Sequence, residues 1–172
     1  VLVNKRFRHT MKSLNWQGRN ARLDLQLAAD GGTQAISVLS SHLAHGLEFE
    51  DSLADCASLA WSRPSGSSLL WIGDFNTDWL PMLSGDPWAD LPNRVDHHGE
   101  GRELVSSLAD TFQLQQYVPD VAEHLPSSIS KWCNSEVACP ISRIPDGNQL
   151  GKPSYIDLIW ADTRINVIKS LL

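Results

Sequence analysis

Residues 68–77 read SLLWIGDFNT, and the rest of the chain is organised around them. Leu69–Ile72 is a continuous apolar run with the length of a strand that is buried on both faces. Gly73 ends the run and permits a sharp turn, so Asp74 should stand at the carboxyl end of a central strand, two residues before Asn76. A carboxylate and a carboxamide placed there can hold a hard cation and a phosphate oxygen. The same residues also fit a strand followed by an ordinary Asx-type turn.

The N-terminal part of the chain is typical of antiparallel strands. Val1–Phe7 predicts a strand, and Arg8–Gly18 a polar connection. Asn20–Ala29 alternates apolar and polar residues, which predicts a half-exposed antiparallel strand with Arg22, Asp24 and Gln26 on the face opposite the leucines. Asp30–Gly32 is a turn signal that joins this strand to the next as a hairpin.

A strand and a helix lead from this hairpin to the central stretch. Ala35–Leu43 predicts a strand, and Leu47–Trp61 carries apolar residues at helical spacing. A strand–helix–strand order favours a crossover unit with its two strands side by side. His42 and Asp74 should therefore emerge at the same edge of the sheet.

The C-terminal half contains one more helix and one more strand. Thr77–Gly99 is rich in Pro, Asp and Trp and predicts a loop, whereas Glu100–Tyr117 predicts a helix. Val118–Lys152 is a long irregular segment, and a loop of such length in a compact domain is usually functional or partly disordered. Ser154–Ala161 predicts the last strand.

Asp157 interrupts this last strand, where a carboxylate is costly unless it is paired or hydrogen-bonded. An edge strand with Asp157 facing water would avoid the cost. Tyr155 and Ile159 share its face, which favours burial, and a buried Asp in a strand commonly orients an imidazole.

Composition indicates one globular domain over residues 1–172, with 42% hydrophobic and 20% charged residues. No apolar run has membrane-spanning length. Cys56, Cys133 and Cys139 show no paired metal spacing and leave an odd thiol. This pattern favours a reducing, intracellular compartment, either nuclear or cytoplasmic.

Charge is unevenly distributed along the chain, whose net charge is −6. Residues 1–22 carry +6 and no acidic residue, and the remainder carries −12. A basic segment can follow a phosphate backbone, but Lys and Arg also protect edge strands from pairing with other chains. The acidic remainder argues against a broad surface that wraps nucleic acid.

The order of these motifs resembles the endonuclease/exonuclease/phosphatase superfamily over most of the chain. The resemblance rests on a strand ending in Ser41-His42-Leu43, a helix, the motif Gly73-Asp74-Phe75-Asn76, and Ser154-Tyr155-Ile156-Asp157-Leu158 further downstream. Within the superfamily, the last motif looks most like the endonuclease domains of non-LTR retrotransposons.

This resemblance implies an α/β fold, a four-layer α/β/β/α sandwich of the DNase I type, and Mg²⁺-dependent hydrolysis of a phosphodiester, with Mn²⁺ as a possible substitute. Asp74 would bind the metal and orient the attacking water, while Asn76 and Ser154 would contact the substrate. His42 would stabilise the phosphate or assist the leaving oxygen. Asp157 would orient a catalytic histidine. Nucleic acid is the partner implied for the full-length protein.

Two expected features of the superfamily are missing from these 172 residues. No glutamate precedes Glu48, and no histidine follows His124, so an upstream metal-binding Glu and a downstream Asp-His pair are not found. We interpret the sequence as a domain truncated at both ends, and expect the fragment alone to be inactive. Two alternatives stay open: a phosphoesterase of the same superfamily acting on a lipid or small molecule, and a catalytically silent binding module.

Overall fold

The computed structural model describes residues 9–29, 32–77, 79, 99–117 and 156–165. They form one mixed six-stranded sheet with two helices, in the α/β class. The strands are β1 (His9–Gln17), β2 (Asn20–Ala29), β3 (Gly32–His42), β4 (Ser68–Asp74), β5 (Leu114–Tyr117) and β6 (Asp157–Asp162). The helices are α1 (Phe49–Trp61) and α2 (Gly99–Thr111), and a 3₁₀ turn, Gly46–Glu48, leads into α1. The order of strands across the sheet is β1-β2-β3-β4-β6-β5.

The first three strands form an antiparallel meander. β2 pairs with β3 from Ala29 and Gly32 onward, which confirms the predicted hairpin. The prediction of a polar connection over Arg8–Gly18 is wrong, because most of it is β1, paired with β2 through a register shift between Met11 and Ser13. Among the strands that the structure describes, β1 pairs only with β2, and it is mostly exposed, so a polar sequence is tolerated there. The predicted Val1–Phe7 strand lies outside the described residues.

The crossover unit is confirmed. β3 and β4 run parallel and are direct neighbours, with α1 between them in sequence. α1 packs on the sheet face that carries Leu39 and Trp71, and these side chains belong to the main core together with Cys56 of α1 and Val105 of α2. Burial of this apolar face is the main source of stability for the unit.

The predicted helix over Glu100–Tyr117 is too long. α2 ends at Thr111, Gln113 adopts a left-handed φ of 55°, and the chain returns as β5. No Gly or Pro marks the end of the helix, and both Phe112 and Leu114 are buried, so the apolar pattern continues across the boundary.

The polar side of β2 is covered, contrary to the expectation of a half-exposed strand. Arg22 and Asp24 are both buried and form an ion pair, with Arg22 Nε 3.0 Å from Asp24 Oδ1. Arg22 Nη1 donates to the Leu59 carbonyl and, over 2.7 Å, to the Ser62 hydroxyl, so the guanidinium caps the C-terminal end of α1. Ser37 donates to Asp24 over 2.7 Å. The buried ion pair is tolerated because nearly every polar side-chain atom of Arg22 and Asp24 has a hydrogen-bond partner.

The opposite sheet face is apolar and only partly covered. Met11, Leu14 and Trp16 of β1 are more than half exposed there, beside Leu23 and Leu25 of β2. No second sheet packs on this face among residues 9–29, 32–77, 99–117 and 156–165, so the four-layer sandwich stays a prediction. In the same part of the chain, neither helix is long and apolar enough to cross a bilayer.

Candidate active site at the carboxyl edge of the parallel strands

Three of the residues singled out from sequence lie side by side across the sheet. His42 is the register partner of Asp74, and Asp74 is the register partner of Asp157. Register partners on adjacent strands point to the same face, with Cβ atoms roughly 4.5–5.5 Å apart in antiparallel pairs. This row of His42, Asp74 and Asp157 lies on the face opposite the helices, because Leu39, Trp71 and Trp160, three positions away, are in the helix-side core.

Exposure differs along this row. His42 is exposed, whereas Asp74 and Asp157 are half-buried. β6 lies between β4 and β5, so the alternative that placed Asp157 on an edge strand is wrong.

Gly73 allows the row to form. Its φ of 147° is one that L side chains rarely adopt. A Cβ at this position would lie 2.8 Å from the carbonyl carbon of Ser41 on β3 and nearer still to its oxygen. The last residues of β3 and β4 therefore approach more closely than two strands with side chains could.

Asp74 begins an Asx-type turn. The backbone N–H of Asn76 donates to Asp74 Oδ1 over 2.8 Å, so the ordinary turn expected from these residue types is present. The turn fixes the carboxylate and leaves its second oxygen for another partner. The turn and the functional interpretation of Asp74 are thus compatible.

Asn76 does not belong to the row of His42, Asp74 and Asp157. Its side chain is buried, and Nδ2 donates to the backbone carbonyl of Leu43, the residue after His42. Ser154, the remaining substrate-binding candidate, lies outside the described residues.

A groove of about 390 Å³ borders this edge on the helix side. Asn76 and Thr77 form one wall, and His45, Glu50 and Glu100 stand around it near the starts of α1 and α2. Of these residues, sequence reasoning singled out only Asn76 as a functional candidate. The available signal was position: these residues follow β3 and β4 or begin the next helix, and α/β sheets bind ligands beyond the carboxyl ends of their strands.

The donor set fits part of a magnesium site. Asp74 and Asp157 supply hard carboxylate oxygens, and Mg²⁺ is usually held by one or two carboxylates together with waters and substrate phosphates. Across the described ranges, no three or more His, Cys, Asp or Glu side chains are grouped closely enough to hold a metal ion by themselves. The two carboxylates would therefore hold the ion only together with other oxygen donors.

Cys56 is not a candidate nucleophile. Burial raises the pKa of its thiol to about 12, although a hydrogen bond with Ser41 opposes the shift. Its Sγ lies 3.1 Å from Ser41 Oγ, which also accepts a 2.7 Å hydrogen bond from the Trp71 indole. A thiol with this pKa is almost fully protonated at neutral pH and serves in packing. Cys133 and Cys139 lie outside the described residues.

Comparison with known proteins gives distant structural likenesses only. No protein-family model matches the chain, and no curated protein matches it. Among solved structures, the chain is similar to an endonuclease/exonuclease/phosphatase family protein from Leptotrichia buccalis C-1013-b, with a TM-score of 0.46 and 15% identity over 83% of this chain and 42% of that one. It is also similar to a beta hairpin deletion mutant of beta toxin from Staphylococcus aureus, with a TM-score of 0.38 and 11% identity over 88% of this chain and 46% of that one. The chain thus spans less than half the length of either structure.

Proposed function

We propose that this chain carries part of the active site of a metal-dependent phosphodiesterase, and that the full-length protein is a DNA endonuclease. The observation that carries the proposal is the row of His42, Asp74 and Asp157 in register on three adjacent strands. Two sequence motifs add support: Gly73–Asn76 at the end of β4 resembles the superfamily, and Ser154–Leu158 looks most like non-LTR retrotransposon endonucleases. No single feature would suffice, since strand-end His and Asx turns are common.

Each residue of the row has a distinct task in this proposal. The metal, when bound, offsets negative charge that develops on the phosphate oxygens. Asp74, whose Oδ1 accepts a hydrogen bond from the Asn76 N–H, would hold the metal and orient the attacking water through its second oxygen. His42, exposed beside it, donates a hydrogen bond to the phosphate or to the leaving oxygen. Asp157 completes the negative pair and would accept a hydrogen bond from a catalytic imidazole and so orient it.

The experiment measures turnover of three substrates by the longest natural form of the protein that contains these residues. The substrates are supercoiled plasmid DNA, p-nitrophenyl phosphate and sphingomyelin vesicles, each assayed in EDTA and after Mg²⁺ is restored. Nicking of the plasmid that requires Mg²⁺ is expected, with the other two substrates turned over poorly. Preference for sphingomyelin or the monoester would replace the DNA endonuclease with a lipid or small-molecule phosphoesterase. Absence of turnover on all three would indicate a silent module.

A further inference from the structure

Asn76 makes two hydrogen bonds that connect the ends of β3 and β4. Its side-chain Nδ2 donates to the Leu43 carbonyl, and its backbone N–H donates to Asp74 Oδ1 over 2.8 Å. The Leu43 N–H in turn donates to the Asp74 carbonyl over 2.9 Å. These three bonds enclose the ends of both strands in one network, which we call the strand-end tie.

The tie holds Asn76 in an unusual and buried conformation. Its φ is 49°, in the left-handed region that Asn tolerates better than most residues, and only 7% of its surface is exposed. Leu43, whose carbonyl accepts the side-chain bond, is fully buried. Removing the carboxamide would leave this carbonyl without that partner, which is costly in a buried place.

We propose that Asn76 is a positioning residue, whose side-chain hydrogen bond to Leu43 sets the spacing of His42 and Asp74. His42 directly precedes Leu43, and Asp74 is held both by its carboxylate and by its carbonyl. The tie therefore reaches both members of the register pair: the Asn76 side chain holds Leu43, next to His42, and the backbone N–H groups of Asn76 and Leu43 hold Asp74. The inference rests on the proposed function, because it assigns a role within that site, but the tie itself can be measured without turnover.

The experiment uses Asn76→Gly, which removes the side-chain bond and leaves a residue that accepts a positive φ. Gln113→Gly is the matched control, since Gln113 has a φ of 55° and is exposed at the end of α2. Amide hydrogen exchange at Leu43 should become at least about tenfold faster in Asn76→Gly, with exchange at Ile72 in the middle of β4 unchanged. The NMR signals of the His42 ring should shift in Asn76→Gly and stay in place in Gln113→Gly.

Kinetics separate positioning from ligand binding. With a positioning role, Asn76→Gly should lower kcat about tenfold or more and leave KM within about twofold, because substrate still binds but the reacting groups are misplaced. A large rise in KM with kcat preserved, or Leu43 exchange no faster than in Gln113→Gly, would overturn the inference. If Asn76→Gly does not fold, Asn76→Asp keeps the size and the left-handed conformation but offers no donor to Leu43, and the same results are expected. If the protein shows no turnover, amide exchange at Leu43 and the NMR signals of the His42 ring still test whether Asn76 fixes the spacing of His42 and Asp74.

Discussion

Gly73 and Asn76 show how far a single residue can be understood from sequence. Gly73 was expected to permit a sharp turn, but its conformation is needed because β3 passes too close for any Cβ. The carboxamide of Asn76 donates a hydrogen bond to Leu43, a contact that its residue type did not predict, and its contact with a phosphate stays a prediction. Residue types predicted where the strand ends. They could not predict what each side chain touches, because the contacts come from a strand about thirty residues away in sequence.

Replacing Gly73 with alanine should destabilise the protein severely. The new Cβ would collide with the Ser41 backbone, which is fixed in the sheet, so β3 and β4 would have to separate. Gly66→Ala is the control, because Gly66 has a φ of 77° but no atom within 4 Å of the added Cβ. Gly66→Ala should cost about 1–2 kcal/mol for its φ, and Gly73→Ala at least about 2 kcal/mol more. Urea titration measures both, and equal losses would contradict the close approach.

At the scale of an element, β2 shows why alternation predicts a strand but not which side is covered. Its apolar and polar faces were assigned correctly, yet the polar face is the one under α1. Alternation is local, whereas the choice of the covered face depends on where the next helix packs. Arg22 is therefore buried, and of the six cations in residues 1–22, only Lys12 and Arg19 are exposed within the described residues.

Arg22→Met should destabilise the protein by about 3–5 kcal/mol, since it leaves Asp24 buried without its cation. Arg19→Met, at an exposed position in the turn between β1 and β2, should change the free energy of unfolding by less than about 0.5 kcal/mol. Adding Asp24→Asn to Arg22→Met should recover part of the loss. The account of the buried pair fails if Arg22→Met and Arg19→Met have the same unfolding midpoint in urea.

The ion pair between Asp162 and Arg164, at the end of β6, should make the stability of the protein depend on pH. A hydrogen bond from Arg164 holds the pKa of Asp162 below its ordinary value of 3.8. A lowered pKa in the folded state stabilises the protein above the unfolded value, and this contribution is lost as pH falls through the folded value. Arg164→Gln should therefore be less stable than the parent at pH 7, and the difference should narrow below about pH 4. Some difference should persist, because Arg164 also donates to the carbonyls of Gly66 and Ser67. A difference that is constant or grows on acidification would contradict this assignment.

For the whole molecule, the order of elements in the sequence predicted that His42 and Asp74 lie together, but it did not predict where the strand that carries Asp157 lies. The crossover rule placed His42 and Asp74 at one edge, and their register confirms that arrangement. The position of β6 could not be derived, because it pairs with β4 from about eighty residues downstream and inserts before β5. Such pairings depend on the whole chain, and only the motif resemblance anticipated that Asp157 would join the row.

The central claim is that Asp74 acts in metal-dependent phosphodiester hydrolysis, and Asp74→Asn tests it most directly. Asp110→Asn, a charge change at an exposed position of α2, is the control. Both are compared with the parent in Mg²⁺-dependent plasmid nicking by the longest natural form of the protein, at saturating Mg²⁺. The account predicts a loss of about 100-fold or more in rate for Asp74→Asn, with Asp110→Asn unchanged. Nicking by Asp74→Asn within a few-fold of the parent would contradict it and place the site elsewhere.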